Sequence, residues 1–441
     1  MAYYVPATQA EQEAMLRTVG AASWDALFAD IPRDMLLEKL DIPAGRSELE
    51  VRRHMEALAA KNRVFPSVFR GAGAYRHYIP ALVKQIVGRE EFVTCYTPYQ
   101  AEVSQGTLQS IFEFQTMMCE LTGLDVSNAS VYDGASAAGE AAAMCRDRKR
   151  AKVLVSASVN PETIRTVRTY CYAANAEVAI VPTRDGVTDA ARLAEMADQE
   201  TACLIAQSPN FYGLIEDAAH LGEVAQQAGA KFVMAVNPIA AAILETPAEC
   251  GADVAVGDAQ PLGMPLSFGG PYLGFMTATN EMARKLPGRI VGETVDADGK
   301  RGYVLTLQAR EQHIRREKAS SNICTNQALC ALTAAAYLTV MGPDGLRDAA
   351  EQCYAKAHYA AEAISAIPGF DLPYSGEFFH EFVTRCPGNA ADLLAFLEER
   401  DILGGCPVAD GLLWCVTEMN ARAEIDELAA ALRAWKEASS R

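Results

Sequence analysis

Short apolar segments alternate with helix-like segments between about residue 150 and residue 276, and this alternation limits the possible folds severely. The apolar segments are 153–155, 178–181, 203–206, 232–236, 254–256 and 273–276. Helix-like segments at 161–173, 189–198 and 217–228 separate most of them. Continuous apolar strands that alternate with helices are typical of a largely parallel sheet with helices on both faces. The sequence therefore predicts an α/β fold.

The regions on either side of this alternation predict an N-terminal arm and a smaller C-terminal domain. Residues 47–61 form the clearest amphipathic helix of the N-terminal region. Residues 105–122 predict a long helix that is buried, because its apolar side chains cover more than one stripe. We expect a helical arm at 1–62, a large domain at 63–325 and a small α/β domain at 326–441.

The region between the two domains has a mixed pattern. Residues 288–302 are rich in Gly and Asp and predict a break in regular structure. A charged, helix-like run follows at 310–318, and an Ala/Leu-rich helix is expected at 325–340, ending before Gly342-Pro343. A further helix is expected at 346–367, inside the small domain.

Composition excludes several classes of function. The chain of 441 residues has a net charge of −17, which disfavours nucleic acid as a partner, because phosphate backbones require a basic surface. It contains no run of about 18 apolar residues, so no membrane partner is expected. Its 12 cysteines contain no C-x-x-C pair, its six histidines show no metal-ligand spacing, and Met1 to Arg17 does not resemble a signal peptide. We expect a cytoplasmic protein without a metal site.

Polar and aromatic residues are concentrated in three segments. Residues 69–80 combine glycines with Arg76, His77 and Tyr78, and residues 96–106 place two tyrosines and two glutamines in one loop. Residues 310–327 join a charged run to a Ser-Ser-Asn turn. Loops of this composition often carry function. A purely structural role, in which they pack domains together or cap a helix, is the alternative.

Residues 132–140 precede an Ala-rich helix and allow two interpretations. Small residues at a helix N-terminus form an anion site, which can hold a phosphate group. Asp133 stands at that position, and its carboxylate would repel a phosphate while capping the helix well. The sequence leaves phosphate binding and helix capping open.

Four strings of residues together resemble the P-protein family of the glycine cleavage system. They are 96–106, 111–125 (IFEFQTMMCELTGLD), 251–271 and 287–327, which includes REQHIRREKASSNICTNQ. The resemblance implies the aspartate-aminotransferase-like fold, fold type I of pyridoxal-phosphate enzymes. It also implies decarboxylation of glycine and transfer of the aminomethyl group to the lipoyl arm of H-protein.

The chain lacks the lysine that such a site requires. No lysine occurs between Lys231 and Lys285, and Gln260-Pro261 occupies the position of the family's His-Lys pair. A lysine amine forms the covalent link to the cofactor aldehyde, and proline has no amine. The family pattern also expects an aspartate near Val236-Asn237, where this chain has none.

The resemblance is therefore to the lysine-less half of the two-subunit form, called subunit 1 or the alpha subunit. It implies a homologous, lysine-bearing partner that holds pyridoxal phosphate covalently, in a heterodimer or a heterotetramer. Lipoylated H-protein and glycine are the other partners implied. The catalytic set of this chain alone is expected to be incomplete.

We expect the polar segments to contribute to the partner's pocket across the subunit interface. The candidate residues are Tyr96, Tyr99, Gln100, Gln105, Arg76, His77, Tyr78, Ser321, Asn322 and Thr325. Two alternatives remain: a scaffold subunit that only stabilises its catalytic homologue, and a stand-alone pyridoxal-phosphate enzyme that uses another lysine. Lys231 and Lys285 are poorly placed for the second alternative.

Overall fold

The structure is a computed structural model that describes residues 7–37, 41–93 and 95–439. Its strands form one central sheet of seven strands and several smaller sheets. The strands, in chain order, are β1 (Ser67–Val68), β2 (Val126–Ser127), β3 (Lys152–Ser156), β4 (Val178–Val181), β5 (Thr183–Arg184), β6 (Val187–Thr188), β7 (Thr201–Ser208), β8 (Lys231–Val236), β9 (Val254–Asp258), β10 (Gly274–Ala278), β11 (Ile290–Val295), β12 (Arg301–Thr306), β13 (Glu381–Thr384), β14 (Ile402–Leu403), β15 (Cys406–Val408) and β16 (Gly411–Cys415). The central sheet has the order β2-β10-β9-β8-β7-β3-β4.

The sheet is mainly parallel, as the sequence predicts. Strands β4, β3, β7, β8 and β9 run parallel to one another. Strand β10 is antiparallel to both of its neighbours, β9 and β2. The carboxyl ends of β3, β7, β8 and β9 therefore meet at one edge, where ligands bind in open α/β sheets.

The helices of the described residues follow in chain order. They are α1 (Gln9–Thr18), α2 (Glu48–Ala59), α3 (Ala81–Val87), α4 (Glu90–Val93), α5 (Gln105–Thr122), α6 (Gly134–Cys145), α7 (Pro161–Ala173), α8 (Ala190–Met196), α9 (Ala218–Gln227), α10 (Gln312–Arg315), α11 (Ala328–Ser365), α12 (Ala390–Glu398) and α13 (Arg422–Ser439). Helix α5 has the predicted bounds and buries Leu108, Phe114 and Met118.

Both faces of the sheet are covered by apolar side chains. Leu154, Leu204 and Phe232 belong to one buried cluster, together with residues of α9 and α11. Their neighbours Val153 and Val233 belong to a second cluster, together with residues of α6 and α7. Successive strand residues point to opposite faces, so the continuous apolar strands fill two separate cores.

Helix α11 replaces two helices that the sequence predicts separately. It is broken at Gly342, whose dihedral angles are φ 62° and ψ 177°, and Pro343 follows directly. The break separates the predicted segments 325–340 and 346–367. The helix is long and apolar enough to meet a simple criterion for crossing a membrane, but many of its side chains, including Ala334, belong to the first buried cluster. Helices of protein cores meet the same criterion.

The C-terminal residues form a small sheet with the order β13-β16-β15, against which α12 and α13 pack. Trp414 is fully buried in its apolar cluster and donates from Nε1 to the hydroxyl of Thr384 at 2.9 Å. Strand β1 pairs in parallel with β14, so residues 67–68 join a strand more than 300 positions later. The division of 63–441 at residue 325 stays a prediction.

The expected break at 288–302 was wrong, because β11 and β12 form an antiparallel hairpin there. Glycine and aspartate are concentrated in its turn, where the N–H groups of Asp298 and Lys300 both donate to Asp296 Oδ1. The charged run that follows forms short turns, including α10, instead of one helix.

The N-terminal residues, Met1–Val64, form a separate compact unit. Helices α1 and α2 each begin with a capping box, in which Thr8 and Ser47 exchange hydrogen bonds with Glu11 and Glu50. Helix α2 matches the amphipathic helix predicted at 47–61. The parts of the predicted arm at 1–6 and 38–40 lie outside the described residues.

Candidate functional site

A cavity of about 580 Å³ opens at the carboxyl edge of the parallel strands. Its lining combines the ends of β7, β8 and β9 with the start of α6 and with residues of the C-terminal region. The polar and aromatic lining residues are Tyr75, Tyr132, Asp133, Asn160, Glu162, Thr163, Gln207, Asn210, Asn237, Asp258, Tyr272, Gln327, His380 and Glu381. This is the position at which the fold places a ligand.

The N-terminus of α6 is occupied by carboxylates of the chain itself. Asp133 caps the helix, since its Oδ1 accepts from the N–H of Ser136 at 2.7 Å. The N–H of Gly134 donates to Asp258 Oδ2 at 3.1 Å. The capping interpretation is thus confirmed. The groups that would attract a phosphate at this helix end face two carboxylates.

Asp258 is a half-buried acid with an altered pKa. Burial raises the pKa of this carboxyl to about 6, against the lowering effect of N–H groups from Gly134, Gln260 and Leu273. The nearby carboxylate of Asp133 raises it further. A phosphate dianion placed here would meet like charges.

The side chain of Gln260 holds the turn after β9 in place. The Gln260 side chain accepts from the N–H of Tyr75 at 2.9 Å, and it donates to the carbonyls of Tyr75 and Met264 at 2.9 and 2.8 Å. Both Gln260 and Pro261 are buried. A side chain that is hydrogen-bonded to the backbone therefore lies where the family pattern has its His-Lys pair.

Asn237 follows β8 and lines the cavity. Its Oδ1 accepts from the N–H groups of Ile239 and Ala240 at 2.8 and 3.3 Å. Its buried Nδ2 has no hydrogen-bond partner within the described residues. An amide at this position brings no negative charge to the cavity.

The opposite wall of the cavity contains a group of residues that the sequence analysis missed. Glu381 accepts from the N–H of Ala72 at 2.6 Å and from the hydroxyl of Tyr75 at 2.7 Å. The rings of Tyr75 and His380 lie 4.5 Å apart. Their sequence separation of about 300 positions hid this group; the only available signal was two consecutive polar residues at the start of an apolar strand.

Glu381 and His380 both have strongly shifted pKa values. Burial raises the pKa of Glu381 to about 7, although the hydrogen bonds from Ala72 and Tyr75 oppose the shift. Burial lowers the pKa of His380 to about 3, and the neighbouring His77 lowers it further. His380 is therefore a neutral imidazole at physiological pH.

The shift at Glu381 predicts a pH-dependent contribution to stability. Its folded-state pKa lies above the ordinary value of 4.5, so between pH 4.5 and 7 the folded state keeps a proton that the unfolded state loses. The free energy of unfolding therefore falls as pH rises through this window. We expect Glu381→Gln to flatten the dependence by about 3 kcal/mol between pH 4.5 and 7.5.

Urea denaturation at a series of pH values measures this effect as the difference between variant and wild type. The matched control is Glu377→Gln, which neutralises an exposed glutamate four positions away. A wild-type pH slope in Glu381→Gln contradicts the assignment of the raised pKa to this residue.

Of the ten residues expected at the site, those of the loop at 96–106 are largely exposed. Tyr96 is 86% and Tyr99 58% exposed, and Gln100 is also exposed. The hydroxyl of Tyr99 accepts from Arg289 Nη2 at 3.1 Å, and the guanidinium lies 5.4 Å from its ring centre. Gln105 instead binds the backbone of Tyr303 on β12, so it holds the hairpin to α5.

Of the residues expected in the segment at 69–80, Arg76 and Tyr78 are exposed and His77 is buried. His77 Nδ1 lies 2.8 Å from Glu418 Oε2, and Cys353 donates to the same oxygen at 3.2 Å. The N–H of Tyr78 donates to the other oxygen of Glu418 at 2.6 Å. Glu418 therefore anchors this loop.

The last three expected residues precede α11. Ser321 donates to Glu140 Oε1 on α6 at 2.9 Å and accepts from the N–H of Ile323 at 3.1 Å. Asn322 is exposed, and Thr325 is half-buried. All ten expected residues lie outside the lining of the cavity. Their contribution to a site across an interface stays a prediction.

Comparisons with known proteins agree with this fold and with the resemblance. The family model described as "Glycine cleavage system P-protein" matches residues 2–432. The chain belongs to the glycine cleavage system P-protein family. A curated relative from Moorella thermoacetica, "Probable glycine dehydrogenase (decarboxylating) subunit 1", is 50% identical over 98% of this chain and 99% of its own length. A relative of the same description from Desulforamulus reducens is 48% identical, over 98% of this chain and 99% of its own length.

Solved structures give the same result at the level of the fold. A glycine decarboxylase (P-protein) of the glycine cleavage system, in inhibitor-bound form, matches with a TM-score of 0.92 and 41% identity, covering 98% of this chain and 100% of that one. A sphingosine-1-phosphate lyase from Burkholderia pseudomallei matches with a TM-score of 0.68 at 15% identity, over 92% and 95% of the two chains, which shows the fold alone. The chain has the fold of the type I pyridoxal-phosphate enzymes.

The cavity of this P-protein family member does not fit pyridoxal phosphate. Its described lining contains no lysine, and Asn237 stands where a carboxylate is expected. At the start of α6, Asp133 and Asp258 occupy the position of a phosphate. Each of the three groups that would hold the aldehyde, the ring nitrogen and the phosphate is missing or replaced.

A lysine introduced after β9 should not restore a cofactor site. With Pro261→Lys we expect no glycine decarboxylation by the purified chain, because the other two requirements stay unmet. Burying a longer, charged side chain in this turn should lower the free energy of unfolding by about 1–3 kcal/mol. Borohydride reduction with pyridoxal phosphate, followed by peptide mass mapping, should find no stoichiometric adduct on wild type.

Pro261→Met is the control for side-chain length without an amine. Glycine-dependent release of carbon dioxide by Pro261→Lys alone, at a rate near that of a native complex, would contradict the assignment of a degenerate cavity. One phosphopyridoxyl group per wild-type chain would contradict it too.

Proposed function

We propose that the chain is subunit 1 of a two-subunit glycine dehydrogenase (decarboxylating). The observation that carries this proposal is a P-protein fold whose own cavity has no lysine in its described lining and presents carboxylates at the phosphate position. The first curated relatives have nearly the same length and are described as subunit 1. The chain is an enzyme subunit that is active only in a complex.

Its partner is a homologous subunit that carries the lysine and holds pyridoxal phosphate. The cofactor supplies the electron sink for glycine decarboxylation, and this chain does not hold it. The complex, a heterodimer or heterotetramer in the cytoplasm, transfers the aminomethyl group to the lipoyl arm of H-protein.

The contribution of this chain comes from its exposed polar loops. Arg289 holds the Tyr99 hydroxyl, and Glu140 holds the Ser321 hydroxyl, so both loops are anchored to the body of this unit. Tyr96 and Val103, which lie on either side of Tyr99 in the sequence, are 86% and 78% exposed. Exposed aromatic and apolar side chains beside oriented polar groups suit an obligate interface that completes a neighbouring site. The roles we assign are to wall the glycine and cofactor pocket and to help admit the lipoyl arm.

Reconstitution tests this function. The chain is purified alone, mixed with a homologous lysine-bearing subunit, and assayed for exchange of labelled carbon dioxide into glycine with lipoylated H-protein. We expect no exchange from this chain alone and a large gain on mixing. Equal exchange by the partner with and without this chain would refute a shared site.

A further inference from the structure

The cavity of this chain is acidic. Asp133, Asp258 and Glu381 line it, and its described lining contains neither lysine nor arginine. Glu162 also belongs to the lining but is paired with Arg165, outside the lining. Three carboxyl groups thus determine the sign of the charge that the cavity offers to a ligand.

Among the described residues, no cation compensates the half-buried Asp258 or the buried Glu381. Burial raises the pKa of Asp258 to about 6 and that of Glu381 to about 7, and Asp133 adds to the first shift by repulsion. A cation between the walls would favour the charged forms of both acids. The site therefore favours positive ligands and opposes anions.

His380 provides an independent indication that a ligand belongs here. The residue is 2% exposed and lines the cavity, and neither ring nitrogen has a hydrogen-bond partner among the described residues. Buried polar atoms are nearly always hydrogen-bonded. As a neutral imidazole, His380 carries one donor and one acceptor, and the described residues leave both unpaired in this wall of the cavity.

The remaining lining suits a small organic molecule. Tyr75, Tyr132 and Tyr272 contribute aromatic rings, whose faces attract cations. Val236 and Pro271 add apolar surface. The volume of about 580 Å³ lies within the range of pockets that hold small ligands.

We propose that this cavity binds a small organic ammonium ion that carries no phosphate group. The carboxyl groups and aromatic rings attract the ammonium, and the unpaired polar atoms of His380 lie in the same wall. The site is thus the electrostatic opposite of a pyridoxal-phosphate site in the same fold. This inference goes beyond the proposed catalytic role and does not depend on it.

Calorimetric titration of the purified full chain with pyridoxamine and with pyridoxamine 5′-phosphate tests the proposal. The two probes share a ring and a primary ammonium and differ in the phosphate alone. We expect saturable 1:1 binding of pyridoxamine, and binding of the phosphorylated probe that is weaker by at least about tenfold, the effect of one unfavourable charge contact.

Asp133→Asn removes a charge while keeping a good helix cap, since asparagine and aspartate cap equally well. We expect it to weaken pyridoxamine binding by about fivefold or more and to narrow the difference between the probes. The matched control is Asp189→Asn, which makes the same change at the N-cap of α8, outside the cavity lining. If Asp133→Asn melts below wild type, Glu381→Gln provides the same measurement at the opposite wall, titrated at about pH 8, where the carboxyl with its pKa of about 7 is charged.

Three results would overturn the proposal: no saturable heat with pyridoxamine, equal or tighter binding of the phosphorylated probe, or unchanged affinity in the folded charge variant. Because the readout is binding to this chain alone, each can occur while reconstituted decarboxylation succeeds. Failure here is therefore distinguishable from failure of the proposed function.

Discussion

Replacing Tyr99 by Phe, or Gln100 by Ala, in the reconstituted complex should lower turnover by about 10²-fold, equivalent to about 2.7 kcal/mol in the activation free energy. Both side chains are exposed on this chain. The Tyr99 hydroxyl is oriented by a hydrogen bond from Arg289. Preoriented donors at a site where charge develops commonly contribute this much. Steady-state exchange of labelled carbon dioxide measures the change.

Assembly must be measured together with turnover to separate catalysis from subunit contact. Size-exclusion chromatography should give wild-type complexes for both variants, because each change removes only part of one side chain. Tyr172→Phe serves as the control, since Tyr172 is 85% exposed and lies on α7, away from the polar loops. Normal turnover in both Tyr99→Phe and Gln100→Ala would favour the scaffold interpretation.

Replacing Gly213 by Ala should destabilise the chain by more than about 4 kcal/mol. Gly213 has φ +86°, and a β-carbon there would lie 1.8 Å from the carbonyl oxygen of Glu381. The two nearest atoms are backbone atoms of Glu381, which cannot move aside as the end of a flexible side chain could. The same segment bonds to the C-terminal region through the N–H of Phe379, which donates to the carbonyl of Gly213 at 3.0 Å. The backbones must separate, and the cavity wall at Glu381 moves with them.

Urea denaturation or thermal melting checks this expectation, and Gly299→Ala is the matched control. Gly299 has φ +76° in the turn of the β11–β12 hairpin, and a β-carbon there meets nothing within 4 Å. It should cost only about 1 kcal/mol, from backbone conformation alone. A comparable loss in the two variants would show that the close approach of Glu381 does not matter.

The sequence by itself determined the layered fold and the missing lysine. Apolar strands such as 203–206 and 232–236 indicate a sheet with two buried faces, because a strand with one exposed face has alternating apolar and polar residues. Helices 105–122 and 161–173 kept their predicted bounds, because their apolar spacing and start signals are local. Absence of lysine near Gln260-Pro261 is readable directly.

Tertiary structure alone decided which residues form the cavity. Glu381 and His380 meet Tyr75 because β13 pairs with β16 and the loop after β1 is hydrogen-bonded to both strands, a contact between residues about 300 positions apart. Asp258 reaches the start of α6 because a strand end and a helix start share one edge of the sheet. Local patterns cannot encode such approaches, since they depend on how distant elements pack. The sequence therefore shows that the lysine is absent, and packing determines which acidic residues surround the cavity.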